Sequence, residues 1–386
     1  MKKIKVVNII TQLELGGAQL IVLYAANNLG DKFESYLISG EKSFFDQDKD
    51  KYTNIKFYNV PEMQRLIKPF KDFKAFIKLI ILLRKIKPHI VHTHCPKASI
   101  LGAWASFFTR SPISIHTHHG LAFNDSKSFL IGKFYIWVQR FTSLIVDKFV
   151  FVSETNLEKA VNEKIVSNDK HNIIRCGIDL EKYKNHVVNI DAKKLELGIP
   201  QDAQILGTIA CFKPVKNPID MIEVAAKVIK AKKNVFFLHI GDGALRTQVE
   251  KRIDELNIRD RVLLLGWRRD IEDLLKIMDV FILTSASEGL PRGVMEAMAS
   301  GVPIVATKVG GLNELIRDGY NGFLTYYRDI ENLSEKVLKL LEDEELREKF
   351  IQNNYEILTQ EFSVTKTVED TKDFYIDLTQ EKGLTE

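Results

Sequence analysis

Residues Ser285 to Gly311 read S-A-S-E-G-L-P-R-G-V-M-E-A-M-A-S-G-V-P-I-V-A-T-K-V-G-G. The run before them, Val280-Phe281-Ile282-Leu283-Thr284, is apolar up to its last residue, as a parallel strand covered on both faces must be. The chain then turns at Glu288-Gly289-Leu290. Pro291 opens a helix at a position where its missing N–H costs nothing. Glu288 falls in the turn, and Glu296 lies further along, inside the helix. Gly301 ends the helix, a second apolar strand runs from Val302 to Ala306, and Gly310-Gly311 follows. Free N–H groups at a helix start attract phosphate. Two carboxylates around such a start can accept hydrogen bonds from sugar or ribose hydroxyls. The pattern suits a sugar nucleotide.

Outward from this stretch, strands and helices alternate along the chain. In the first half, apolar strands are expected at Lys3–Ile10, Glu34–Ile38, Ile55–Val60, His89–Thr93, Ile113–Thr117 and Lys148–Val152, with helices at Phe70–Ile86, Lys97–Phe108 and Phe129–Ser143. The second half repeats the rhythm, with strands at Ile205–Ala210, Val235–Ile240, Val262–Leu265, Val280–Thr284 and Val302–Ala306. A βαβα alternation means parallel sheets with helices on both faces, and ligands outside the carboxyl ends of the strands. At 386 residues the chain is too long for one ordinary core, so two doubly wound domains facing a cleft are expected. The expected bounds are 1–182 and 183–362, with Asn185–Pro200 as the linker region. Residues 363–386 are expected to form a helix that docks on the first domain.

Composition narrows the class. Hydrophobic residues make up 45% and charged residues 27%, the balance of a soluble globular protein. Cys95, Cys176 and Cys211 form no C-x-x-C, so a reducing cytoplasm is the expected compartment. Met1-Lys2-Lys3 before Ile4–Ile10 resembles a signal peptide. Lys5 and Asn8 interrupt that run and no small-residue cleavage site follows, so it reads as a first strand. No apolar stretch is long enough to cross a bilayer. Residues 1–180 hold 26 Lys and Arg against 16 Asp and Glu, an excess of ten, while the remainder holds 29 against 35. The basic half suggests an anionic surface or acceptor there.

Other motifs are weaker. Gly16-Gly17 after the first strand would let backbone approach a phosphate or sugar. It lacks the third glycine of G-x-G-x-x-G, which argues against a nicotinamide cofactor. Lys216, after the strand at Ile205–Ala210, can neutralise a diphosphate leaving group; the competing reading is a solvated loop lysine. Gly241-Asp242-Gly243 reads equally as a ligand turn or a structural one. His92, His94, His116, His118 and His119 cluster at strand ends, where i and i+2 share a face. No carboxylate or thiolate stands at ligand spacing, so a hydrogen bond to a sugar hydroxyl is the more economical role than a metal. Asp46, Asp48 and Asp50 read as a solvated loop rather than a metal–nucleotide D-x-D.

The segment Lys68–Lys87 sets seven cations, among them Lys71, Lys74 and Lys78, against one acid, Asp72. Such a helix can lie on anionic membrane or pack as an ordinary surface helix. With Phe70, Phe73, Phe76 and Ile80 turned into the core, attachment would be electrostatic only. No nucleic-acid module is present.

Assembled, these residues resemble glycosyltransferase family 4, the retaining transferases of the two-domain GT-B fold. The resemblance covers nearly the whole chain and is strongest from Gly207 to Leu324. Its most specific element is E-x7-E, matched by Glu288 and Glu296. Gly266-Trp267-Arg268-Arg269-Asp270-Ile271, Gly310-Gly311 with Glu314, and Asp318-Gly319-Tyr320-Asn321-Gly322-Phe323 match its downstream run. Gly16-Gly17 looks like its glycine loop, Thr117-His118-His119-Gly120 like its T-x-H-G, and Gly177-Ile178-Asp179 like its N-G-I-D. Two positions depart from the pattern. Cys211 stands where an Arg is common, so one diphosphate contact would be missing or supplied elsewhere, by Lys213 or Arg292. Cys176 stands where Asn is common.

The resemblance implies roles. Glu288 contacts the donor sugar, Glu296 the ribose hydroxyls and Lys216 the diphosphate, and His119 lies near the sugar. N–H groups near Arg292 and Gly293 hold phosphate, Trp267 and Arg268 border the base, and Gly16, Gly17, Gly241, Gly289 and Leu290 line the donor site. The activity implied is transfer of a hexose-type sugar, with retention, from a nucleoside diphosphate sugar to a hydroxyl of a glycan or lipid-linked glycan. No metal and no further cofactor are expected. The expected location is cytoplasmic, with peripheral attachment to the inner face of the membrane. A nucleotide-sugar epimerase of the same fold and a non-catalytic sugar-nucleotide-binding protein are the alternatives. The first would turn over donor without acceptor. Cys211 favours the second, and the carboxylate pair opposes it.

Overall fold

The computed structural model describes residues 3–13, 17–40, 49–120, 129–167 and 169–384. It divides into two compact units, Met1–Cys176 with Val364–Glu386, and Gly177–Ser363.

The first unit is built on a parallel sheet of β1 (Ile4–Ile10), β2 (Phe33–Ser39), β3 (Ile55–Asn59), β4 (Ile90–His94), β5 (Ile113–His118), β6 (Lys148–Phe151) and β7 (His171–Ile173), in the order β3-β2-β1-β4-β5-β6-β7. Strands β4 and β5 are buried at every position, which is why they read as apolar runs broken only by Thr, Ser and His. The chain winds outward from β1 to β3, then crosses back to β4. The break between β1 and β4 is therefore the topological switch point, where such sheets take ligands. The terminal helix Val364–Glu381 belongs to this unit. Its Phe374, Tyr375 and Leu378 pack with Ile4, Val6, Phe33 and Ile113.

The second unit repeats the plan with β8 (Gln204–Ile209), β9 (Val235–Ile240), β10 (Val262–Leu264), β11 (Val280–Leu283), β12 (Ile304–Thr307) and β13 (Gly322–Thr325), in the order β10-β9-β8-β11-β12-β13. Its switch point lies between β8 and β11, which pair in parallel at Val280 with Leu206 and Phe281 with Gly207.

Three details differ from the sequence reading. The divide falls at Cys176/Gly177 rather than 182/183. Ile178 already donates its N–H to the Phe362 carbonyl at 2.8 Å, and Tyr183 is buried in the second unit. Asn185–Pro200 thus lies inside that unit, where Ile190–Glu196 forms a helix capped by the Asn189 side chain. Strand β12 begins at Ile304 rather than Val302. The Val302 N–H is consumed closing the preceding helix on the Ala297 carbonyl, and the Gly301 N–H bonds the Met298 carbonyl, with Gly301 left-handed at φ 81°. That is a Schellman stop, and Pro303 then has no N–H to offer. On the helix Pro69–Ile86 the buried stripe is Ala75, Leu79, Leu83 and Ile86. Phe70 and Phe73 are exposed, at 89% and 65%. Small Ala75 lets this helix pack closely on the helix Pro96–Thr109, whose Ala98 and Ala105 share the same core, and that turns the phenylalanines outward.

Candidate active site

In the second unit two loops meet at the switch point. The loop after β8 ends in a single 3₁₀ turn, Pro214–Lys216. Thr284, just past β11, fastens that turn: its hydroxyl donates to the carbonyls of Lys216 and Asn217 at 3.2 and 3.0 Å. The Ala286 N–H donates to the Val215 carbonyl at 2.8 Å. The staple delivers Lys216 to Glu288. Its ammonium donates to Oε1 at 2.6 Å and Oε2 at 2.8 Å. The Ser285 hydroxyl also bonds Oε1. Glu288 is buried, and Lys216 is partly so.

The turn that carries Glu288 rests on Gly310-Gly311. Gly310 has φ 51°, and a Cβ there would lie 2.1 Å from the Glu288 carbonyl oxygen. Any side chain at this position would push the turn away.

The helix Arg292–Ala299 begins directly after Pro291, with no side-chain cap. Its first intrahelical bond is donated by Val294 to the Pro291 carbonyl at 3.1 Å, so the N–H groups of Arg292 and Gly293 precede the ladder. Glu296, one turn in, is buried. Its Oε1 accepts from Arg292 Nε at 2.7 Å and from the Tyr183 hydroxyl at 2.9 Å. Both bonds converge on a single oxygen. Burial, with the Glu296 charge beside it, pushes the Tyr183 phenol well above its ordinary pKa, so it stays a donor.

The remaining donor-site candidates lie at the ends of neighbouring strands. Gly241, Gly289, Leu290 and Gly293 are all at least half-buried. Gly241 follows β9 and donates its N–H to the Gly266 carbonyl at 2.8 Å. Trp267 is 54% exposed on the turn after β10. Arg268 is engaged with acids: it reaches Asp270 at 2.6 Å and Glu196 at 3.2 Å. The Arg268 guanidinium holds the Asp270 carboxyl well below the usual carboxylate range. Lys193 joins Asp270 at 2.9 Å, which makes this a network rather than a single pair. Gly16, Asp46 and Asp48 lie outside the described residues, and Gly17 opens the helix Gly17–Asn27.

His119 belongs to the first unit. The sheet's alternation splits the histidines into two sets. His92, His94 and His119 share one cavity with Asn8, Thr117, Cys176 and Tyr375. His92 bonds the Tyr375 hydroxyl at 2.5 Å and the Thr117 hydroxyl at 2.6 Å. His116 turns the other way, to Thr93, and His118 stacks on Phe149 and Phe151. Those two are core residues. Among the described residues no group of three or more His, Cys, Asp or Glu is placed to hold a metal ion.

Tyr183 and Ser285 are the site residues that the sequence reading missed. The Tyr183–Glu296 bond spans 113 positions, and nothing local marks it. Ser285 stands three residues before Glu288, within the quoted stretch, and its serine-to-carboxylate spacing was the available signal.

Comparison with known proteins identifies the family and the fold. The sequence matches the family described as glycosyl transferases group 1 over residues 163–357 and that described as glycosyltransferase family 4 over residues 15–182. A relative from Escherichia coli, UDP-Gal:alpha-D-GlcNAc-diphosphoundecaprenol alpha-1,3-galactosyltransferase, is 30% identical over 384 residues, 98% of each chain. The capsular polysaccharide biosynthesis glycosyltransferase CapM of Staphylococcus aureus is 28% identical over 336 residues, 84% of this chain and 86% of CapM. The crystal structure of Anabaena HepE in complex with UDP and glucose superposes with a TM-score of 0.84 at 21% identity, over 97% of this chain and all of HepE.

Proposed function

The chain belongs to glycosyltransferase family 4, and from that premise we propose that it moves a hexose from a UDP-sugar, with retention, to a hydroxyl of a polyprenyl-diphosphate-linked sugar during assembly of a bacterial surface polysaccharide. The Escherichia coli relative, named for UDP-galactose and a diphosphoundecaprenol-linked acceptor, supports UDP-galactose as the first donor to try. The observation that carries the reading is the placement of Lys216 and Glu288 on either side of the β8/β11 switch point. A cation there meets charge that develops on the departing diphosphate, and a carboxylate there orients sugar hydroxyls. Glu296 is held through one oxygen by Arg292 and Tyr183, and takes the ribose hydroxyls.

In this reading the diphosphate charge falls to Lys216 and to the N–H groups of Arg292 and Gly293, with no metal. EDTA is then expected to leave turnover unchanged. The direct test is incubation with UDP-galactose and a polyprenyl-diphosphate N-acetylglucosamine, followed by mass analysis. A disaccharide-linked lipid supports transfer. An epimerised nucleotide sugar formed without acceptor would support the epimerase alternative.

An anionic membrane is the second partner in this proposal. No helix among the described residues is long and apolar enough to cross a bilayer. The helix Pro69–Ile86 instead exposes Lys68, Lys71, Lys74 and Lys78 near it together with Phe70 and Phe73. Leu66 and Ile67, just before it, are 69% and 71% exposed. Aromatic contacts extend the surface from Phe76 to Phe108, Trp104 and Phe141. Attachment of this kind combines cation attraction, about 1 kcal/mol per exposed Lys at most, with apolar insertion that salt does not screen. Co-sedimentation with vesicles containing anionic lipid tests it. Changing Lys68, Lys71, Lys74 and Lys78 to Gln should weaken binding at low salt, and adding Phe70→Ser and Phe73→Ser should abolish the remainder. Wild-type protein staying in the supernatant at low ionic strength would overturn the membrane assignment.

A further inference from the structure

The first unit's switch point holds a chain of hydrogen bonds that ends on His119. Asn8 lies on β1 and His94 on β4, the two strands that flank the break in winding order. The Asn8 carboxamide oxygen is 3.0 Å from His94 Nε2. His94 Nδ1 is 3.2 Å from His119 Nε2. His119 Nδ1 in turn is 4.0 Å from the Cys176 sulfur.

The polarity of this chain follows from its first member. With its oxygen turned toward His94, the Asn8 carboxamide accepts, and His94 Nε2 carries the hydrogen in that arrangement. A neutral imidazole has one N–H, which leaves His94 Nδ1 as an acceptor. His119 must therefore donate from Nε2, and its Nδ1 carries the lone pair, facing the Cys176 thiol. Burial keeps both rings neutral, His94 well below its ordinary pKa and His119 down to about 4. Protonation of either ring would add a second donor and break the one-way order.

We propose that Asn8 is a positioning residue which, through His94, locks His119 in the Nε2–H tautomer and presents its Nδ1 as a hydrogen-bond acceptor. The His119 ring then offers a lone pair, and no charge, to a hydroxyl that approaches from the Nδ1 side and displaces the weak 4.0 Å contact of the Cys176 thiol. Cys176 completes the arrangement as a weak S–H donor, where an amide side chain could either donate or accept. The proposal goes beyond the transferase reading, which places a histidine near the sugar but assigns it no tautomer.

The test is spectroscopic and needs no nucleotide sugar, so its outcome is independent of the donor assignment. Protein labelled with ¹⁵N-histidine is studied by two-bond ¹H–¹⁵N correlation at neutral pH, with His119 signals assigned by their loss in His119→Gln. The expected result is a protonated Nε2 and an unprotonated Nδ1 for both His94 and His119. Asn8→Leu removes the acceptor, and His119 should then show both tautomers in exchange. A wild-type spectrum with His119 protonated at Nδ1 would overturn the proposal, whether or not the Asn8 variant folds. An Asn8→Leu protein that folds and keeps His119 fully in the Nε2–H form would overturn the role of Asn8.

Discussion

The Lys216 ammonium sits between both oxygens of the Glu288 carboxylate, 2.6 Å from Oε1 and 2.8 Å from Oε2. Each group satisfies the other where water is largely excluded. On the proposed reading, a diphosphate arriving at this loop would compete for Lys216 and release Glu288 toward sugar hydroxyls. The pair would then link the departure of the leaving group to the placement of the sugar. Removing one partner leaves a buried charge unmatched, which costs more than the pair itself contributes.

Glu288→Gln keeps the shape of the side chain and loses its charge. Turnover should fall by about a hundredfold or more, because a lost transition-state contact costs about 2.7–4 kcal/mol. Affinity for the bare nucleotide should stay within a few fold. Turnover within about threefold of wild type would contradict the assigned role.

Lys216→Ala should weaken binding of a nucleoside diphosphate more than of the nucleoside alone, as titration calorimetry would show. It should also lower the melting temperature, since among the described residues Glu288 would keep only the Ser285 hydroxyl as its side-chain partner at Oε1. Equal weakening of nucleoside and nucleoside diphosphate would place Lys216 away from the diphosphate.

Tyr183→Phe deletes one of the two donors on Glu296 Oε1 and leaves Arg292 in place. The loss should be about 1 kcal/mol, read as a severalfold weaker UDP affinity with chemistry little changed. A fall in kcat at unaltered UDP affinity would contradict a ribose role for Glu296.

Acid should destabilise the fold early. Burial lowers His92 and His118 to about 3, His119 to about 4 and, in the second unit, His239 to about 3. Their folded pKa values lie below the unfolded value of about 6.5, so the unfolded chain binds more protons between these limits. Their contribution is fully present above pH about 6.5 and is lost as pH falls from there toward about 4, by up to about 1.4 kcal/mol per pH unit for each ring. Urea unfolding at steps between pH 7.5 and pH 4.5 checks this. Constant stability across that window would contradict neutral burial of the cluster.

The apolar runs made the two sheets legible, because strands covered on both faces must be apolar throughout. Two short strands escaped that signal. β7, His171–Ile173, is only partly buried or exposed, and β13, Gly322–Thr325, is short and opens on glycine. Glu288 and Glu296 were readable because both sit in one local pattern, whereas Lys216, on a loop whose own sequence suits solvent equally, was singled out by the family resemblance alone. Tyr183, Asn8 and the partner of His94 were not, because their bonds join distant strands and loops. The outward turn of Phe70 and Phe73 was hidden for a different reason. The basic helix carries more apolar residues than one face can bury, and the neighbouring helix decided which stripe went inside.

The most direct measurement of the proposed chemistry is sugar transfer itself, followed with radiolabelled UDP-galactose and a polyprenyl-diphosphate N-acetylglucosamine acceptor. Wild-type protein is expected to release UDP in step with formation of an α-linked product, without added metal, and Glu288→Gln is expected to be at least about a hundredfold slower. Absence of product from UDP-, GDP- and ADP-sugars alike, or equal rates for wild type and Glu288→Gln, would contradict the assignment of a glycosyl-transfer site to Glu288 and Lys216.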